Sequence, residues 1–195
     1  KQQLALDKST KVVGYIGSLR EMEGVDLTAE AVAQLSSQGH DIRLFVLSSE
    51  SGQAELRQHC KKLGLGEKAI IAGPVSHDSV AQFYDLIDIF VVSRPDSRVT
   101  RLVTPLKPFE AMMMKKAVIA SKLPALEEII EHGKTGMLYK ADDVNSLVET
   151  IEQIIADEKA IVELGSNAHS WILANRTWQS VVENYYQAYQ TASKK

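Results

Sequence analysis

The sequence lacks the residues that would build disulfides, membrane spans or a nucleic-acid-binding surface. It has a single cysteine, Cys60, which excludes an intrachain disulfide and any metal cluster made of several thiolates. No apolar run reaches about 18 residues, so no transmembrane helix is predicted. The 22 Lys and Arg residues do not exceed the 25 Asp and Glu residues, and the formal net charge of −3 disfavours a general nucleic-acid binder.

What the sequence does have is a regular alternation of short apolar runs and helical stretches up to about residue 140. The predicted strands are residues 11–19, 41–48, 69–72, 88–93, 117–121 and 137–139. The predicted helices between them are residues 25–37, 52–63, 76–86, 104–115 and 124–132. Because several strands are unbroken apolar runs, the pattern predicts an α/β fold with a doubly wound, mostly parallel, Rossmann-like sheet. Helices should cover both faces, and the residues after Asp143 should form a helical C-terminal tail.

In such a sheet, ligands bind beyond the carboxyl ends of the strands, near the point where the strand order reverses. The loop after the first strand, residues 17–24, contains Gly17, Ser18 and Arg20 and ends in Gly24. Gly17 lets the backbone approach a ligand closely. A plain strand–helix turn explains the same loop. The loop has no G-x-G-x-x-G fingerprint, which disfavours a nicotinamide oxidoreductase.

The loop after the strand at 88–93 carries a local basic cluster in an otherwise acidic chain. Its four cations are Arg94, Arg98, Arg101 and Lys107. Such a cluster suits an anionic ligand, although charge-rich loops are also commonly solvated surface. At this stage both interpretations stay open.

The basic cluster leads into a helix that we expect to begin near Thr104. Thr104 suits the N-cap, Pro105 suits the first helical position, and the unpaired amides of Leu106 and Lys107 would favour an anion. Glu110 lies three residues after Lys107 and can share one helix face with it. A lysine and a carboxylate one turn apart can hold a phosphate and a sugar diol; an internal ion pair or an exposed glutamate is the alternative.

No metal site is predicted, because the five histidines are scattered and show no ligand spacing. We therefore expect neither a metal ion nor another cofactor.

Several segments follow one another along nearly the whole chain: YIGSL and EGVDL, HDSVAQFYDLIDIFVV, TPLKPFEAMMMKKAVIAS, LPALEEIIEHGKTGMLY and RTW. Together they resemble the carboxy-terminal domain of the family 4 retaining glycosyltransferases, which have two facing Rossmann-like (GT-B) domains. The run TPLKPFEAM is similar to a subgroup with a T-P-L-K-P-L-E-A-M core.

The resemblance implies that the chain binds a nucleoside-diphosphate sugar for retaining transfer to an acceptor hydroxyl. Glu110 is expected to bind the donor ribose, and residues 104–107 and the loop at Gly17 its diphosphate. Lys107 and Glu110 are thus predicted as the catalytic residues. The donor-binding residues are predicted to be Gly17, Ser18, Arg20, Arg94, Arg98, Arg101, Thr104, Pro105 and Leu106.

The sequence also departs from the family pattern. The first glutamate of the family motif falls on Leu102, the common arginine of the first loop on Ser18, and the common lysine on Glu23. Because a carboxylate repels a diphosphate, either the cations of the second loop replace the missing ones or donor affinity is weak. The first is favoured, because the needed charge is present nearby. A non-catalytic nucleotide-binding or scaffolding module is the alternative function.

The resemblance further implies a division of the chain. Residues 1–10 would be a linker from a missing N-terminal acceptor domain, residues 11–175 the nucleotide-sugar-binding domain, and residues 176–195 a C-terminal helix packing back towards the missing domain. The acceptor would be a glycan or lipid-linked molecule. By analogy alone, polysaccharide synthesis in the cytoplasm, peripheral to the inner membrane face, is expected.

Overall fold

The computed structural model of the chain describes residues 6, 7 and 9–193. Within them, six strands form one parallel sheet in the order β3-β2-β1-β4-β5-β6. The strands are β1 (Lys11–Ile16), β2 (Ile42–Leu47), β3 (Ala69–Ala72), β4 (Ile89–Val92), β5 (Ala117–Ser121) and β6 (Met137–Tyr139). This sheet confirms the predicted Rossmann-like α/β fold, and it is parallel throughout.

The central strands are buried on both faces, which explains their unbroken apolar sequences. Successive residues of a strand point to opposite faces of a sheet. Every residue of β4 and of β5 is buried, so helices must cover both sides. Phe45 on β2 and Phe90 on β4 are among the largest side chains that are fully enclosed.

The helices follow the predicted order with some changes of length. They are α1 (Val25–Ser37), α2 (Gln53–Lys62), α3 (Val80–Tyr84), α4 (Arg98–Leu102), α5 (Lys107–Met113), α6 (Pro124–Glu127), α7 (Val144–Ile155), α8 (Glu158–Asn175) and α9 (Trp178–Ala192). Short 3₁₀ turns lie at Glu21–Glu23, Gly66–Lys68 and His77–Ser79. Helices α7, α8 and α9 confirm the predicted helical tail, whereas α4 was not predicted.

The predicted start of the helix after the basic cluster is wrong by two residues. Helix α5 begins at Lys107 with Leu106 as its N-cap, so Thr104 is not the N-cap and Pro105 is not the first helical residue. Pro108 explains the difference. In a helix that began at residue 105, its ring would clash with the Thr104 carbonyl and its missing N–H would break the ladder. In α5 it lies in the first turn, where proline is tolerated.

Most of the predicted linker, residues 1–10, lies outside the described residues. Helix α9 corresponds to most of the predicted C-terminal helix, and its packing towards another domain stays a prediction. Among the helices of the described ranges, none is long and apolar enough to cross a bilayer.

Candidate functional site

The candidate site lies where the strand order of the sheet reverses. Chain order runs outward from β1 to β2 and β3 on one side, and from β4 to β5 and β6 on the other. Because β1 and β4 are parallel neighbours, the loops that follow them meet at the same edge of the sheet. These are the two loops that the sequence analysis selected.

The two loops pack directly against each other through Gly24 and Ser93. Ser93 Oγ donates a hydrogen bond to the Gly24 carbonyl at 2.6 Å. Gly24 has a φ of 61°, and a side chain there would overlap the Ser93 carbonyl. Only glycine allows this close approach, which brings the side chains of the two loops next to each other.

A buried carboxylate, Glu23, joins the two loops. Arg94 donates to it from Nη2 at 3.2 Å and from Nε at 3.3 Å, and Lys107 Nζ donates to it at 2.9 Å. Glu23 and Arg94 are each only 4% exposed, so this ion pair is almost completely removed from water. Arg94 is also fixed by a 3.0 Å hydrogen bond to the Val103 carbonyl.

The surroundings of Glu23 keep its carboxylate ionised. Burial opposes ionisation, but the hydrogen bonds and charges of Arg94 and Lys107 outweigh it and hold the pKa of Glu23 below its ordinary value. Two cations and one anion leave this trio with a formal charge of +1. Since Arg94 is buried, Lys107 is the cation of the trio that remains accessible to a ligand.

The side chain of Lys107 lies over Gly17, where it can form one side of an anion-binding site. A methyl group on Gly17 would overlap the Lys107 side chain and come within 2.9 Å of Tyr15 Oη. Lys107 Nζ lies 5.7 Å from the centre of the Tyr15 ring, within the range of a cation–π contact. The absence of a side chain at Gly17 thus creates the space that Lys107 occupies.

A row of aromatic rings connects the surroundings of Lys107 with those of Glu110. Tyr15 stacks on Phe90 with ring centroids 6.1 Å apart, and Tyr84 lies on Phe90 at 5.7 Å. Tyr84 Oη donates to Glu110 Oε2 at 3.0 Å. Lys107 and Glu110, one turn apart on α5, are therefore supported by opposite ends of one aromatic row.

The remaining cations of the basic cluster do not join Lys107. Arg101 pairs with Asp96, its Nη2 donating to Oδ2 at 2.7 Å, and both side chains are solvated. Arg98 and Arg101 line a separate depression of about 370 Å³ at α4. Arg94 and Lys107 thus share Glu23, whereas Arg98 and Arg101 line the depression at α4, and the predicted role of these two arginines in donor binding stays a prediction.

The other predicted donor-binding residues have mixed positions. Arg20 is exposed and lines a cleft of about 470 Å³ between the first loop and α2. The Ser18 carbonyl accepts a 2.9 Å hydrogen bond from Tyr15 Oη, which fixes the loop after β1. Pro105 is buried, Thr104 is partly buried, and Leu106 is 72% exposed.

An apolar cavity of about 630 Å³ adjoins Glu110. Its walls include Tyr84, Phe109, Met113 and Trp178. This volume is within the range of pockets that hold small organic ligands. In the described part of the chain, no group of three or more His, Cys, Asp or Glu side chains is arranged to hold a metal ion.

Sequence reasoning missed three members of the site. It treated Glu23 only as a repulsive charge and did not predict its pairing with Arg94 and Lys107. It also missed the supporting roles of Tyr15 and Tyr84. A buried-strand tyrosine followed two residues later by glycine is a weak signal for Tyr15. No local pattern connects Tyr84 with Glu110.

Residues 1–171 match the family model described as "Glycosyl transferases group 1". A curated relative, the lipopolysaccharide 1,2-N-acetylglucosaminetransferase of Salmonella typhimurium, is 26% identical over 193 residues. That match covers 95% of this chain and 49% of the relative, so the chain spans about half the length of the curated relatives it matches.

Solved structures give the same result for the fold. The C-terminal domain of the group 1 glycosyl transferase LpcC from Francisella tularensis matches with a TM-score of 0.73 and 23% identity, covering 86% of this chain and 87% of that one. Anabaena HepE, solved with UDP and glucose, matches with a TM-score of 0.77 and 24% identity, covering 98% of this chain and 50% of HepE. Both share the fold of this chain, and the LpcC domain shows that this fold occurs in a group 1 glycosyl transferase.

Proposed function

Because the chain belongs to the group 1 glycosyl transferases, we propose that it is the donor-binding half of a retaining glycosyltransferase. It binds a nucleoside-diphosphate sugar at the switch point between β1 and β4. HepE, which shares the fold, is described in complexes with UDP and with UDP-glucose. One observation carries the proposal: Lys107 lies across Gly17 at this switch point, with Glu110 one turn further along α5.

In this proposal Lys107 binds the diphosphate. Its ammonium group has three hydrogen-bond donors, and Glu23 accepts one of them, which leaves two for phosphate oxygens. Glu23, which is itself fixed by the buried Arg94, holds Lys107 in place, so little ordering is required when the ligand arrives.

Glu110 is proposed to bind the ribose. Its Oε2 already accepts from Tyr84, and a carboxylate has about four acceptor positions, so acceptor capacity remains for two adjacent hydroxyls. The apolar cavity beside Glu110 would take the rest of the nucleoside.

During transfer, the bond between the sugar and the diphosphate breaks and negative charge develops on the leaving diphosphate. Lys107, held in place before the reaction, would stabilise that charge, which is electrostatic catalysis by a preorganised donor. We propose that no metal ion takes part, because the Lys107 ammonium group and the backbone N–H groups of the first loop would stabilise the negative charge of the diphosphate. The acceptor is proposed to be a glycan or lipid-linked hydroxyl held by a second domain.

Calorimetric titration of the chain with UDP, GDP, ADP, pyrophosphate and NAD tests the proposal. We expect at least one nucleoside diphosphate to bind, and Lys107→Ala to weaken every diphosphate about tenfold or more. Glu110→Gln should weaken the nucleoside diphosphates but not pyrophosphate. Lys61→Ala, an exposed lysine on α2, is the matched control.

The proposal fails if no nucleoside diphosphate binds, or if Lys107→Ala behaves like Lys61→Ala. We further propose that the isolated chain binds nucleotide without transferring sugar. Sugar transfer by this chain alone, followed with a labelled donor, would overturn the assignment of acceptor groups to another domain.

A non-catalytic scaffolding module is the second candidate, and the pairing of Lys107 with Glu23 favours it. In this case Glu23 neutralises Lys107 permanently, as in a structural ion pair. The two candidates differ in the same titration, because a scaffold of this kind gives no heat and no thermal stabilisation with any nucleotide.

A further inference from the structure

The inference concerns Tyr84, which no step of the proposed function uses. Tyr84 is the last residue of α3 and is 2% exposed, yet its hydroxyl reaches the exposed side chain of Glu110 on α5. Tyr84 Oη donates to Glu110 Oε2 at 3.0 Å. A buried hydroxyl therefore holds a solvent-facing carboxylate at the edge of the 630 Å³ cavity.

Tyr84 itself cannot change position easily. Its ring packs on Phe90 of the central strand β4, which is fully buried, with ring centroids 5.7 Å apart. Burial and the adjacent negative charge of Glu110 raise the pKa of Tyr84 far above its ordinary value. The hydroxyl thus keeps its proton at any working pH and remains a donor.

From this geometry we propose that Tyr84 is a positioning residue, which fixes the Glu110 carboxylate so that its free acceptor positions meet the two ribose hydroxyls of the donor nucleotide. The inference rests on the proposed function and adds to it a residue that never touches the ligand. Glutamate is a flexible side chain, and an exposed one samples several rotamers. Holding it beforehand removes an ordering cost from ribose binding.

The inference predicts an effect that depends on the ligand. Removing the Tyr84 hydroxyl should weaken ligands that carry the 2′ and 3′ hydroxyls. It should leave unchanged the ligands that lack them, because these do not use Glu110. A residue that only stabilised the fold would affect all ligands equally.

The experiment compares the wild-type chain with Tyr84→Phe, which keeps the ring and its packing on Phe90. Three ligands are titrated: the nucleoside diphosphate that binds tightest among UDP, GDP and ADP, its 2′,3′-dideoxy analogue, and pyrophosphate. We expect the first to bind about fivefold more weakly to Tyr84→Phe, because the cost of ordering the Glu110 side chain then falls on ligand binding. The other two should change by less than about twofold.

Tyr139→Phe is a matched control. Tyr139 is also 2% exposed, and its hydroxyl has no hydrogen-bond partner among the described residues. The control should bind all three ligands like the wild type. In the Glu110→Ala background, Tyr84→Phe should cause no further loss, since the Tyr84 hydroxyl then has no carboxylate to position.

Each other outcome overturns the inference. Equal weakening of all three ligands would show that Tyr84 is merely structural, and no weakening would show that Glu110 needs no support. If the wild type binds nucleotide and Tyr84→Phe lacks the selective loss, this inference alone fails. If the wild type binds no nucleotide, the proposed function fails and this inference fails with it.

Discussion

The substitution Glu23→Gln tests the central ion-pair arrangement of the site. It removes one negative charge and keeps the shape of the side chain. The wild-type carboxylate accepts from Lys107 Nζ at 2.9 Å and from two Arg94 nitrogens at 3.2 and 3.3 Å. After the substitution, Arg94 remains buried at 4% exposure with no carboxylate to compensate its charge.

The expected loss of stability follows from this burial. Removing one partner of a buried ion pair costs about 3–5 kcal/mol, because the remaining charge is left in a medium that solvates it poorly. The lower end applies here, since glutamine keeps one oxygen acceptor and Arg94 also donates to the Val103 carbonyl at 3.0 Å. For a domain of this size, about 3 kcal/mol lowers the melting temperature by roughly 6–12 °C.

Thermal unfolding followed by circular dichroism at neutral pH measures the change. Glu21→Gln is the matched control: Glu21 lies in the same 3₁₀ turn, is exposed, and should change stability by less than about 0.5 kcal/mol. Equal melting temperatures for the two variants would refute the reasoning.

Three further predictions concern the same site. Gly17→Ala should weaken diphosphate binding about tenfold, because the added methyl group would overlap the Lys107 side chain and displace it. Calorimetry would detect the loss, and an unchanged affinity would contradict this position of Lys107. Arg98→Ala should alter diphosphate affinity by less than about twofold, because Arg98 lies in the depression at α4. A loss as large as that of Lys107→Ala would show that Arg98 contacts the diphosphate. The stabilisation of the fold by Glu23 should depend on pH, because the pKa of Glu23 in the folded chain lies below its ordinary value of 4.5. The contribution of Glu23 to the free energy of unfolding is complete above pH 4.5 and is lost as the pH falls through the folded-state pKa. Denaturant unfolding should therefore show the wild type and Glu23→Gln converging in acid, and a constant difference would argue against the shift.

Several elements could be predicted because their signals are local. Helix α1 ends where the sequence analysis placed it, and β3, β5 and β6 have the predicted bounds. Hydrophobic periodicity and glycine stop signals depend only on neighbouring residues, so they are readable without a tertiary structure. The start of α5 was missed because Thr104 and Pro105 imitate a helix start, and Pro108 was not weighed against them.

The sequence by itself determined the class of fold and the two loops that meet at the switch point. The alternation of strands and helices forces a parallel sheet, and a parallel sheet collects its loops at one edge. The motif around Lys107 and Glu110 was also visible as a local pattern, although its role in donor binding stays a prediction.

Only the tertiary structure decided which charges act together. Glu23 and Lys107 are 84 positions apart, and Tyr84 and Glu110 are 26 apart, so no local pattern links them. A sequence shows only the order of the charges along the chain. The strength of an ion pair depends on the distance between the charges and on their burial, and the packing of β1 against β4 sets both. Of the four cations in this segment, Arg94 is buried, Lys107 lies in the candidate site, and Arg98 and Arg101 lie at the depression beside α4.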